Sequence, residues 1–188
     1  RRFEMKVSRE QMARNRSRIL MEAGRLFREK GFDAVSVAEV MKAAGLTHGG
    51  FYGHFASKDD LIAQTLAEAL GETASSGGDL SAWLDSYLSP RHRDNPAHGC
   101  PTAGLAADVR HQGGAARAAL TKGFGTQIDR MAAAMPGASS DERRRAAIGN
   151  WAAMVGALVL SRAVNDPLLS DELLKQTRVW IDEKRVTH

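Results

Sequence analysis

The stretch SVAEVMKAAGLTHGGFYGHFASK, residues 36–58, decides how the chain folds. Its first half places Val37, Val40, Met41 and Ala44 at i, i+3, i+4 and i+7, the apolar stripe of a short helix. Ser36 precedes that stripe and Glu39 lies three residues further on, the spacing of a capping box. Gly45 then breaks the chain where a sharp turn leaves no room for a side chain. Thr47 can cap a third helix that runs to about His54, with Phe51 and Phe55 as its one apolar side. Two short helices across a glycine turn have the spacing of a helix-turn-helix, whose second helix presents its N-terminal residues to the DNA major groove. Helix pairs of this kind are common elsewhere, so the spacing alone leaves the function open.

The third helix is a poor helix, and that is informative. Gly49, Gly50 and Gly53 each cost roughly 1 kcal/mol relative to alanine inside a helix. Nothing in isolated stability favours them, whereas close approach of a foreign surface does. A plain loop is the bland alternative, and it would leave both phenylalanines stranded. Tyr52 and Lys58 add a hydroxyl and a long cation suited to phosphates.

Outward from this stretch the pattern is helical throughout, with no convincing period of two. Ser8 to Lys30 carries Ile19, Leu20, Ala23, Leu26 and Phe27 on one stripe and stops at Gly31. Ser57 and Asp60 open a helix over about 58–74, with Leu61, Ile62, Thr65, Leu66 and Ala69 inward. Ser75 to Gly78 reads as a flexible break, and helices follow over about 80–88, 101–110, 115–134, 141–164 and 170–182. Residues 89–99, with two prolines, read as a loop.

Composition narrows the class. The chain is 188 residues, 43% apolar and 26% charged, ordinary for a globular protein. Residues 1–58 hold 12 Lys and Arg against 6 Asp and Glu, whereas residues 59–188 hold 14 against 16. The basic surplus therefore lies wholly in the first third, the footprint of a nucleic-acid-binding head on a near-neutral body. The nearly uncharged run from Ala146 to Ser161 is too short for a bilayer, and the polar opening residues carry no signal-peptide core. One cysteine, Cys100, excludes an internal disulfide and fits a reducing cytoplasm.

Residues 19–61 resemble the DNA-binding domain of the tetracycline-repressor (TetR) family of bacterial transcriptional regulators. The resemblance rests on Ala23, Leu26, Phe27, Gly31, Phe32, Val37, Ala43, Ala44, Gly45, Leu46, Gly49, Phe51, Tyr52, Phe55, Lys58 and Leu61. It implies an all-α fold with a three-helix DNA-binding domain over 1–58 and a helical effector-binding and dimerisation domain over 59–188. Ser36, Thr47, His48, Gly49, Gly50, Tyr52, His54 and Lys58 are the DNA-binding candidates. The family's pattern puts phosphate contacts at Thr47, Tyr52 and Lys58 and base contacts at His48 and Gly49. Gly53 departs from the bulkier residue usual at its position. The implied partners are double-stranded operator DNA with an inverted repeat, a small-molecule effector and a second copy of the chain, without a membrane.

In the body, the helix over 141–164 is apolar nearly all round and has two sides to bury. Ala153, Gly156, Ala157 and Leu160 are the candidates for a dimer interface, a central helix of a monomer being the alternative. Trp83, Tyr87, Cys100, Leu105, Phe124, Ile128, Trp151 and Met154 are candidates for a ligand pocket. His92, His98, Cys100 and His111 match no zinc spacing, so neither metal nor cofactor is expected. No nucleophile elbow or phosphate-binding glycine loop appears, which argues against an enzyme. A non-specific architectural DNA-binding protein and a regulator using Cys100 as a sensor thiol remain alternatives. Cys100 sits at the start of an expected helix, where a helix dipole favours a thiolate.

Overall fold

Sequential helices are the outcome in the computed structural model, which describes residues 8–73 and 80–186; the break read at Ser75 to Gly78 lies outside them. The α-helices are α1 (Arg9–Lys30), α2 (Val37–Ala43), α3 (Lys58–Thr73), α4 (Leu80–Tyr87), α5 (Pro90–Arg93), α6 (Pro101–Val109), α7 (Gly114–Ala134), α8 (Ser140–Ala163) and α9 (Pro167–Val186). Two 3-10 helices, His48–Gly53 and Pro96–His98, complete the order, and no strand occurs among the described residues. The fold is all-α.

Serine caps set most of the starts. Ser8 accepts from the Gln11 amide at 3.1 Å, Ser36 from Glu39 at 3.1 Å and Ser57 from Asp60 at 3.1 Å. The Ser36 box is half made, because the Glu39 carboxylate turns away to Lys30 at 2.7 Å. A complete box opens α8 instead, between Ser139 and Glu142. The span expected to be a loop holds α5 and the second 3-10 helix, each with proline at its first position, where no amide is needed.

Two cores result. The first gathers α1, α2, Phe51, Phe55 and α3, and also takes in Leu105 and Val109 of α6 and Ala116 of α7. It therefore extends well past residue 58. The second joins α4 and Cys100 to α7, α8 and α9 around Trp151, Met154 and Leu158. Helix α6 begins in one core and ends in the other, which ties the head to the body.

By length and composition α8, with 24 residues, reaches what a membrane crossing requires, further than the apolar run suggests. In this fold one side of it is the spine of the second core, with Met154 and Leu158 fully buried. Its other side leaves Ile148, Val159 and Leu160 exposed.

Candidate nucleic-acid interface

The helix expected over 47–54 is tighter than an α-helix. His48–Gly53 forms a 3-10 helix, and Thr47, extended ahead of it, makes no side-chain cap. The geometry follows from the anchors. Phe51 and Phe55 are buried, with their rings stacked at 5.7 Å, which pins one side of a short segment to the core. At six residues it is long for a 3-10 helix, which usually stops after three or four.

The other side is bare. Thr47, His48, Gly49, Gly50, Tyr52 and Gly53 are exposed, Tyr52 at 73%. A Cβ on Gly49 would meet nothing within 4 Å, and one on Gly50 or Gly53 would meet only ordinary contacts at 3.7 Å or beyond. None of the three has a positive φ. The fold itself thus places no demand for glycine here. Gly45 is different: its φ of 67° belongs to a left-handed turn, and a Cβ would press on Arg18 at 2.9 Å.

The head is braced from α1 by residues that charge counting did not single out. Arg16 donates to the His54 carbonyl at 2.7 Å and lies over the Phe55 ring at 4.6 Å. Arg18 donates to the Ala44 carbonyl, closing the turn from outside. Arg28 donates to the Ala97 carbonyl at 2.9 Å. Much of the basic surplus of α1 is therefore turned onto the protein's own backbone, while Arg14, Arg25 and Lys30 are ion-paired. Among the described residues Arg9, Lys42 and Lys58 make no ion pair. His54 is half-buried, and burial, then the charge of Arg16, lowers its pKa. Ser36 and Lys58 stand at the starts of α2 and α3.

A separate cavity of about 450 Å³ opens in the body between α4, α5 and the start of α6. Trp83, Tyr87 and Cys100 line it, with His92 and His98. The other pocket candidates lie elsewhere. Trp151 and Met154 are buried in the second core, Phe124 and Ile128 pack on its edge, and Leu105 belongs to the first core. Of the dimer candidates, Ala153 and Gly156 are half-buried and Leu160 is exposed, while Ala157 faces the chain's own core at 5% exposure. No group of three His, Cys, Asp or Glu side chains among the described residues could hold a metal ion.

His92 organises the cavity wall. Its Nδ1 lies 2.7 Å from the Tyr87 carbonyl and its Nε2 accepts from the Cys100 amide at 2.9 Å. Only the neutral ring with its proton on Nδ1 satisfies both. Gly99 leaves room for this: a Cβ there would sit 3.0 Å from the His92 ring and from Arg162. Burial lowers the His92 pKa, opposed by the Tyr87 carbonyl and reinforced by Arg162. The unfolded chain thus binds more protons than the folded one below about pH 6.5, so stability is complete above that pH and falls on acidification. His92→Gln should flatten the acid slope of the thermal midpoint between about pH 5 and 7. An unchanged slope would contradict this assignment.

Comparison with known proteins fits this layout. Residues 19–65 match the model of the bacterial regulatory proteins of the tetR family. The chain resembles the TetR family. The same head also aligns with the transcriptional repressor Rv1474c of Mycobacterium tuberculosis, 33% identical over 92 residues, 47% of this chain and 49% of that protein. It aligns with the repressor BdcR of Escherichia coli, 47% identical over 49 residues, 26% of this chain and 25% of that one. The chain thus spans half or less of these relatives. Likeness in fold runs further: reduced NemR of Escherichia coli superposes with a TM-score of 0.75 at 21% identity, over 90% of this chain and 95% of that one. A TetR-family regulator of Agrobacterium tumefaciens gives 0.72 at 18%, over 90% and 98%.

Proposed function

We propose that the chain is a sequence-specific DNA-binding transcriptional regulator, a repressor that acts as a homodimer in the cytoplasm and leaves its operator when a small molecule binds the body. The observation that carries this reading is the segment 47–53, anchored by Phe51 yet exposed and glycine-rich on its other side without any need from the fold. A surface kept bare at a cost in helix stability suits close approach to a groove edge. The relatives that match the head are named as repressors or regulators of the helix-turn-helix type, which supports a binding role over an enzymatic one. Lys58, half-buried at the start of α3 and without an ion pair among the described residues, is assigned to phosphate. Lys58→Ala should weaken all duplexes alike and reduce the slope of log K against log salt by about one. Unaltered binding at every salt concentration would remove that assignment.

The cavity can speak to the head through one short segment. Asn95 and His98 line it, and Ala97 between them accepts the hydrogen bond from Arg28 of α1. A ligand that displaces this segment loosens the brace on α1, and operator DNA must weaken that ligand by the same factor. Cys100 as a sensor thiol is the second reading, favoured by its place in the cavity wall at the N-cap of α6. It is 6% exposed. Alkylation of the native protein at a rate that tracks loss of operator binding supports it, and alkylation only after unfolding makes Cys100 packing.

A further inference from the structure

We propose that the cavity beside α6 takes a flat organic anion of the aryl carboxylate class, an inference that rests on the effector reading above and gives its ligand a chemistry. The volume of about 450 Å³ falls among small-molecule sites, which run from roughly 300 to 1,000 Å³. One wall is aromatic and rigid. Trp83 tilts against Tyr87 at 5.6 Å and is stacked on Trp151 at 6.1 Å with 15° between the planes. Such a wall receives a flat ring by stacking or edge contact.

The charge of the lining decides the rest. Arg91 and His98 belong to it, and among the described residues no carboxylate does. Arg91 is exposed and makes no ion pair among the described residues, whereas Arg93, two positions on, is held by Asp94 and Asp171. Behind Gly99 lies Arg162, half-buried, which donates to the His92 carbonyl at 2.8 Å and the Arg93 carbonyl at 3.0 Å. It makes no ion pair among the described residues, but the Asp94 carboxylate acts on its charge, so the free positive charge of the lining is that of Arg91.

Polar groups without partners complete the picture. The Tyr87 hydroxyl is buried beside the Cys100 thiol, a weak partner, and has no other hydrogen bond among the described residues. The Thr102 hydroxyl, in the first turn of α6, is also buried without a partner among the described residues, but it does not line the cavity. Buried donors left unmet in a native fold call for an acceptor. A ring carrying a carboxylate supplies the apolar face, the acceptors and the missing negative charge together.

Calorimetry of the full chain with 1-naphthoate, 1-naphthamide and 1-naphthylmethylamine separates the possibilities. The expected result is binding of the carboxylate, at least about tenfold tighter than the amide, with the amine weakest, since a charge-assisted hydrogen bond is at stake. Arg91→Gln should lower naphthoate affinity about tenfold and Arg91→Lys much less, while Trp83→Ala weakens carboxylate and amide alike. Equal binding of carboxylate and amide overturns the anion class and leaves the effector reading standing. Naphthoate binding unchanged by both Arg91→Gln and Trp83→Ala, or no binding by any of the three probes, overturns the site. Naphthoate binding that follows the expected pattern but leaves operator affinity unaltered upholds the site and removes the effector reading.

Discussion

Phe51→Ala is expected to destabilise the fold by about 3–5 kcal/mol, the range for removing a fully buried aromatic side chain. Its neighbour should behave in the opposite way. Tyr52 is 73% exposed and touches Phe51 only edge-on at 5.2 Å, so Tyr52→Phe keeps the ring contact and loses only a solvated hydroxyl. Its stability should change by less than about 0.5 kcal/mol. DNA affinity should nevertheless fall about tenfold, because a hydroxyl-to-phosphate hydrogen bond has a charged partner. Denaturant unfolding and filter binding on the two variants check this. A Tyr52→Phe protein that binds as tightly as wild type would place the DNA surface elsewhere.

The exposed side of α8 makes the second large effect. Ala153, Gly156 and Leu160 lie on or near it, joined by Ile148 and Val159, which are 46% and 41% exposed. Leu160→Arg should produce a folded monomer, because the charge meets water in the single chain and a desolvated surface in the dimer. Operator affinity should then fall roughly 100-fold or more, since the second half-site is no longer engaged within one complex. Ala157→Arg is the contrast, for Ala157 faces the core and a charge there should unfold the body instead. Sedimentation that finds Leu160→Arg dimeric, with its DNA affinity intact, would contradict the interface.

Much of this was legible in the sequence because the signals were local. Caps at Ser36 and Ser57, the stripe from Ile19 to Phe27 and the sharp turn at Gly45 all express preferences of a few neighbouring residues. The chain was less legible wherever the partner is a backbone carbonyl, which carries no residue identity. Arg16, Arg18 and Arg28 look alike as surplus charge, yet each is committed to a carbonyl 26 to 69 residues away. The cavity was half legible for the same reason. Trp83, Tyr87 and Cys100 were read as lining from their apolar character, while Arg91, Asn95 and His98 came from a segment that prolines marked as loop. Leu105 was grouped with them by hydrophobicity alone, and only the crossing of α6 from one core to the other sends it to the head. The two sides of α8 were visible as apolar, but which side faces inward depends on packing against α7 and α9.

The most direct test of the central claim is selection of bound sequences from random duplex DNA by the full-length protein. The expected result is a single enriched inverted repeat, with half-sites spaced to suit a twofold dimer on successive major grooves. His48→Ala should change the preferred bases, whereas Lys58→Ala should not. Recovery of DNA with no enriched sequence, at an affinity governed only by salt, would contradict the claim.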